Sequence, residues 1–298
     1  MKTKTINLTI CKKFDEWVAS ITDLAVAEKV KAGTICTGGA IASMLLREPV
    51  NDFDFYFKDL ATTKAVAEYY VSKMARPDKG DGSKEKAALY VKTTEDRVRI
   101  VIKSAGVLGE TEKAYQYFES RPPEASEEYV NNVLAAKADK EAKPDYRPVF
   151  MSDNAISLSG DVQLVIRFYG EPDKIHENYD YQHATNYWTS WERSITLRTA
   201  ALECLLTKEL RYIGSKYPIC SLIRARKFIQ RDWTINAGQL LKISMQIHDL
   251  DLNNIEILQE QLAGMDLAYF SQVLELLKLA DPAKINSAYL IEIIDRIF

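Results

Sequence analysis

The segment NDFDFYF at residues 51–57 constrains this chain more than any other. In a β-strand successive side chains point to opposite faces, so Phe53, Phe55 and Phe57 share one face while Asp52, Asp54 and Tyr56 share the other. Three aromatics at alternate positions require a core on their side. The two carboxylates stand roughly 7 Å apart along the strand, from about 3.3 Å of rise per residue. Like charges that close repel unless a cation or a proton offsets them, and aspartates at this spacing can converge on one or two Mg²⁺ ions. A strand facing water carries such a pair harmlessly, so the pair alone does not define a site.

A second feature stands just upstream. Gly38-Gly39 opens a short apolar helix, Ala40 to Arg47, that cannot run past Pro49 without a break, and Gly39 precedes Asp52 by thirteen positions. Glycines let the backbone approach a phosphate closely, and a helix N-terminus turns unpaired N–H groups and a partial positive charge toward an anion. A purely structural turn is the plainer reading of the glycines taken alone.

Around these features the chain divides by texture. Residues 13–31 carry Phe14, Trp17, Val18, Ile21, Leu24 and Ala25 at helical spacing, which predicts one amphipathic helix. Residues 61–75 predict another helix, followed by the polar loop RPDKGDGSKEK and two strands joined at Thr94-Glu95-Asp96. Residues 109–147, rich in charge, alanine and proline, read as a partly helical, mobile insertion without chemistry of its own. Strand signals return in VFMSDNAISLS, VQLVIRFYG and NYDYQHATNYW, and from about residue 195 the chain reads as helix to its end. The expected class is α+β: a small mixed or antiparallel sheet with flanking helices over residues 1–192, then an all-helical domain over 193–298.

Composition narrows the function. A net charge of −3 excludes a uniformly basic nucleic-acid coat, yet nine basic residues lie between Arg193 and Arg231 against Glu203 and Glu209 alone. Such a zone suits a bound anion such as a triphosphate, or is a solvated helix face. Four cysteines without a CxxC pair, with three histidines, argue against a His/Cys zinc site. No run of about 18 apolar residues and no signal-like N-terminus occurs, so a cytoplasmic protein outside the membrane is expected.

Taken together, TGGAIASMLLREPVNDFDFYF resembles the GG…DxD signature of the DNA polymerase β-like nucleotidyltransferase superfamily. That group includes CCA-adding and poly(A)-adding enzymes, cyclic-dinucleotide synthases and antibiotic-modifying transferases. The resemblance implies Mg²⁺ or Mn²⁺ held by Asp52 and Asp54, with Gly38 and Gly39 on the triphosphate. Members use a third carboxylate on a later, neighbouring strand. Asp180, in the strand-like ENYDYQHATNYW, is the candidate as metal ligand and general base; Asp161, Glu95 and Asp96 compete for the role. The resemblance further implies that the helical half contacts the β- and γ-phosphates through Ser221, Arg224 and Lys227, which share one helix face opposite Leu222, Ala225 and Ile229. A solvated or DNA-facing helix would show the same pattern. The implied donor is a nucleoside triphosphate, ATP favoured, and the acceptor an RNA or tRNA 3′ end, a nucleotide, a protein or a small molecule. A nucleotide-binding or structural protein that kept the fold without catalysis is the alternative. His183, Tyr187, Trp188 and Trp191 read first as core, and His176 and His248 have no metal-ligating partners at useful spacing.

Overall fold

The computed structural model describes residues 1–74, 88–106, 109–114, 145–252, 254, 257, 260–261, 291–292 and 295. Contacts divide the chain into two compact units, Met1–His176 with Ala184–Leu197, and Glu177–His183 with Arg198–Phe298.

The first unit opens on two helices, α1 (Thr3–Ala19) and α2 (Leu24–Gly33). The single helix expected over 13–31 is therefore broken. Asp23 makes the break by accepting from the N–H groups of Ala25 at 2.9 Å and Val26 at 3.1 Å, and a carboxylate cap of this kind starts a new helix. Strand β1 (Thr34–Thr37), helix α3 (Gly39–Leu46), strand β2 (Phe53–Phe57) and helix α4 (Leu60–Met74) follow. Next come β3 (Ala88–Thr93), β4 (Val98–Gly106) and β5 (Gly109–Ala114), an antiparallel three-stranded sheet. Part of the segment expected as a partly helical insertion is thus a strand; its residues 115–144 and the RPDKGDGSKEK loop lie outside the described residues. Strands β6 (Pro148–Met151), β7 (Ala155–Leu158) and β8 (Val162–Tyr169), the short helix α5 (Pro172–His176), and strands β9 (Tyr187–Thr189) and β10 (Ser194–Thr196) complete the unit.

The main sheet has the order β10-β9-β1-β2-β8-β7-β6, antiparallel throughout except for the parallel pair β2–β8. Phe53, Phe55 and Phe57 are 6%, 0% and 0% exposed and join one core with side chains from all four long helices, α1 to α4. Trp17 stacks on Phe55 with centroids 5.0 Å apart, and its indole N–H donates to the buried Tyr70 hydroxyl at 2.8 Å. Burial pushes the Tyr70 phenol upward, so it stays neutral and can accept that bond. Each such aromatic removed from water contributes about 1.5–3 kcal/mol. The helices therefore cover one side of the sheet, the Phe side, and β2 turns its aspartate to the other.

The second unit contains α6 (Thr199–Thr207), α7 (Pro218–Ile229) and α8 (Ala237–His248), plus a two-residue parallel pair, β11 (Glu209–Leu210) with β12 (Thr234–Ile235). Ser194–Thr196, read with the helical half from sequence, is instead an edge strand of the main sheet. The later amphipathic positions Ile255, Leu258, Leu262, Leu267, Phe270 and Leu274 lie outside the described residues. Among the described residues no helix is long and apolar enough to cross a membrane.

Candidate functional site

Strand register decides what surrounds the aspartates. Because Cys36 faces Phe55 across β1–β2, Thr37, the next residue, comes beside Asp54. On the outer sides Thr37 faces Tyr187 of β9, and Asp54 faces Gln163 of β8. Tyr187, Thr37, Asp54 and Gln163 thus form one row across four strands. Antiparallel pairing sets the end of β1, where the glycines begin, against the start of β2, where the aspartates lie. The short helix α3 bridges the two.

Gly38 and Gly39 serve different ends. Gly38 has φ 98° and ψ −150°, a conformation that L side chains rarely adopt, and its N–H donates to Ala184 O at 3.1 Å. It is the turn. Gly39 begins α3, is exposed, and a Cβ built on it would meet nothing within 4 Å. Gly38, the N-cap, has no side chain with which to accept from the first N–H groups of the helix. α3 ends at Arg47, whose left-handed φ of 62° closes the last turn before Pro49. The space that a side chain would occupy at Gly39 is open.

Asp52 immediately precedes β2 and Asp54 lies within it, both partly exposed. The buried Cys36 thiol is pushed up, first by burial and second by the Asp54 charge. Tyr56, on the aspartate side, is only 8% exposed, so that side is not simply open to water. Carboxylates of partly exposed residues beside the start of a helix offer the hard oxygen donors that Mg²⁺ or Mn²⁺ takes. Among the described residues, however, no three His, Cys, Asp or Glu side chains gather as a metal cage.

The third acid is where sequence and structure part. At the level of Asp54 the neighbouring strand offers an amide, Gln163. Asp161, one of the competing positions, sits at φ 57°; its carbonyl accepts from Phe53 N–H at 2.8 Å and its charge acts on Tyr146. Asp96, in the β3–β4 turn with Glu95, accepts from Thr94 Oγ1 at 3.0 Å. Asp180 is not on a strand. It occupies a bend in the second unit, before a single bridge between Tyr181 and Tyr212, and its carboxylate accepts from Arg224 Nη1 at 2.5 Å. Alternation of aromatic and polar residues in ENYDYQHATNYW imitates a strand, but Gln182–Ala184 form a 3-10 turn and only Tyr187–Thr189 extend.

Two residues assigned to different partners, Asp180 to metal and Arg224 to phosphate, therefore pair with each other. Ser221 is fully buried, donating weakly to Tyr217 O at 3.3 Å while its carbonyl accepts from Tyr181 OH at 2.6 Å. The expected division of the α7 faces is corrected as well: Leu222 and Ile229 are 45% and 49% exposed, whereas Ala225 is buried and Lys227 half-buried. His183 is 4% exposed against Phe228 and Trp233, each with ring centroids 4.7 Å away. Burial pulls its pKa down to about 4 despite the Asp180 charge, so it is a neutral core imidazole at pH 7.

One residue that spacing did not single out is His176. Its Nε2 lies 2.8 Å from Thr37 Oγ1, directly before the glycine turn. The two positions are 139 residues apart, and no local pattern links them.

Comparison with known proteins adds a family. The model of the Gabija anti-defense 2 family proteins matches residues 9–208, more than half of the chain. A curated relative described as Gabija anti-defense 2, from Bacillus phage SPbetaL7, is 24% identical over 100 residues, covering 33% of this chain and 25% of that protein. Among solved structures, the Bacillus stearothermophilus CCA-adding enzyme in complex with CTP aligns at 12% identity over 88% of this chain and 51% of its own, with a TM-score of 0.38. The Thermotoga maritima CCA-adding enzyme complexed with tRNA aligns at 11% identity over 89% and 53%, with a TM-score of 0.39. The chain spans about half the length of these two enzymes and the phage match about a quarter of its protein.

Proposed function

The chain belongs to the Gabija anti-defense 2 family, and we propose that it is a metal-dependent nucleotidyltransferase acting from the site at the β1–β2 end of its sheet. The observation that carries this reading is the juxtaposition of the helix start at Gly39 with Asp52 and Asp54, fixed by the antiparallel pairing of β1 with β2. The reaction joins an acceptor hydroxyl oxygen to the α-phosphorus of a nucleoside triphosphate, breaks the bond from that phosphorus to the β-phosphate oxygen, and releases pyrophosphate. Gly39 and the following N–H groups hold phosphate oxygens, and the helix dipole offsets their charge. Asp52 and Asp54 hold Mg²⁺ or Mn²⁺, which when bound supplies Lewis acidity toward the reacting oxygens. The donor proposed is ATP, and the RNA, nucleotide, protein or small-molecule acceptor is to be identified from the product. Given the family, we place this chemistry in the service of blocking a Gabija defence.

A second reading is a nucleotide-binding protein without turnover. Gln163 beside Asp54, where the superfamily resemblance calls for a carboxylate, is the observation in its favour.

The two readings separate on incubation with each α-labelled nucleoside triphosphate and Mg²⁺ or Mn²⁺, with and without bulk tRNA. Transfer of label by the wild type and not by Asp54→Asn supports the transferase. Metal-dependent binding with no transfer to any acceptor, even with lysate of Gabija-bearing cells added, selects the silent protein.

A further inference from the structure

We infer that His176 is a positioning residue for the phosphate-binding turn, acting through Thr37 to hold Gly38 so that the Gly39 N–H faces the ligand. The inference rests on the nucleotide site proposed above and deepens it. Thr37 is 0% exposed and is the last residue of β1, one before the turn. Its hydroxyl oxygen lies 2.8 Å from His176 Nε2, 2.9 Å from Asn186 O and 3.4 Å from Ala184 O. A hydroxyl has one proton, and a carbonyl can only accept. The Thr37 proton therefore goes to the carbonyls of Asn186 and Ala184, and the His176 Nε2 must be the donor to Thr37. That chain of donation fixes the tautomer of His176.

Ala184 O also accepts from the Gly38 N–H at 3.1 Å. One small set of bonds thus seats segment 184–186 against the end of β1 and, through it, sets the orientation of the glycine turn. The imidazole itself is held: His176 is 5% exposed, ends helix α5 and lies 5.9 Å from the Tyr187 ring. α5 follows Gly170, whose N–H donates to Phe57 O at 3.0 Å, so the ring is referred back to the strand that carries Asp54. A site that must hold phosphate oxygens to within about half an ångström needs such support behind its backbone donors.

The test measures affinity for ATP and for inorganic tripolyphosphate, which has no base, in the wild type, His176→Leu, His176→Gln, Thr37→Val and Thr37→Ser. Glutamine places an N–H donor near Nε2 and serine keeps the hydroxyl. Leucine and valine remove the group at similar volume. Expected is a roughly tenfold weaker affinity for both ligands in His176→Leu and Thr37→Val, with recovery toward wild type in His176→Gln and Thr37→Ser. Mn²⁺ affinity without nucleotide stays unchanged across the set. Should either removal variant not fold, the other decides. Wild-type affinity for tripolyphosphate in a folded His176→Leu or Thr37→Val overturns the inference and leaves the nucleotide site standing. Wild-type protein that binds neither ATP, nor another nucleoside triphosphate, nor tripolyphosphate overturns both.

Discussion

The β1–β2 end of the sheet and the α7 region of the second unit were both marked as candidate sites by their charged residues, but they differ in how those charges are held. At the sheet end, backbone register sets each side chain. Phe53, Phe55 and Phe57 bury, Asp54 takes the other face, and Gly39 opens into space with no Cβ contact. Around α7 the charge of Arg224 is already engaged. Arg224 is paired to Asp180, Ser221 is sealed in the interior, and the apolar Leu222 and Ile229 face outward. Carboxylates whose positions are set by strand register beside an exposed glycine are a better pointer to chemistry than a larger number of charges along a helix face.

The largest effects test the sheet end. Asp54→Asn, and likewise Asp52→Asn, is expected to lower label transfer by at least about 10²–10³-fold, the scale of losing one preorganised electrostatic contact. Thermal unfolding should stay within a few degrees of wild type, because both carboxylates are partly exposed.

The two glycines sharpen the comparison within the same loop. Gly38→Ala places a Cβ on a residue at φ 98° and should cost about 1–3 kcal/mol of stability, read as a lower denaturant midpoint. Gly39→Ala, with nothing within 4 Å of its Cβ, should unfold like wild type yet raise the KM for the nucleotide. Equal stabilities for the two would show that the turn does not need its left-handed residue.

In the second unit the imidazole of His183 gives a pH signature. Its folded pKa of about 4 lies below the ordinary value of 6.5, so the unfolded chain binds the proton first as pH falls. Its contribution is complete above about pH 6.5 and is lost progressively down to about 4. Between pH 7 and pH 5 this amounts to about 2 kcal/mol. Denaturant unfolding at the two pH values should show a smaller difference in His183→Gln than in wild type.

The smallest effect concerns the ion pair. The side chains of Arg224 and Asp180 are 39% and 13% exposed, so water only partly screens the pair and Arg224→Ala should cost about 1–2 kcal/mol. Asp180→Asn carries the sharper question. A loss of transfer matching that of Asp54→Asn would make Asp180 the third acid, whereas a small stability change with transfer intact would confine it to the Arg224 pair.

The readable part of this protein is the part governed by short backbone periods. NDFDFYF, with its period of two, exposes the faces of β2, and the glycine pair marks the start of α3. The break at Asp23 was legible in principle as an N-cap, although the apolar spacing on both sides of it reads through as one helix. Period-two alternation also misleads where aromatics cluster: residues 177–186 alternate like a strand but form a bend and a 3-10 turn. The pairing of Asp180 with Arg224, and of His176 with Thr37 across 139 residues, follows from tertiary packing that no local pattern contains.

The measurement that tests the account most directly is pyrophosphate release from nucleoside triphosphates with Mg²⁺, in wild type and Asp54→Asn of equal thermal stability. Release by the wild type and background rates from the variant are expected. Release at the same rate from both proteins would contradict this, because the chemistry would then lie elsewhere than beside the glycine turn.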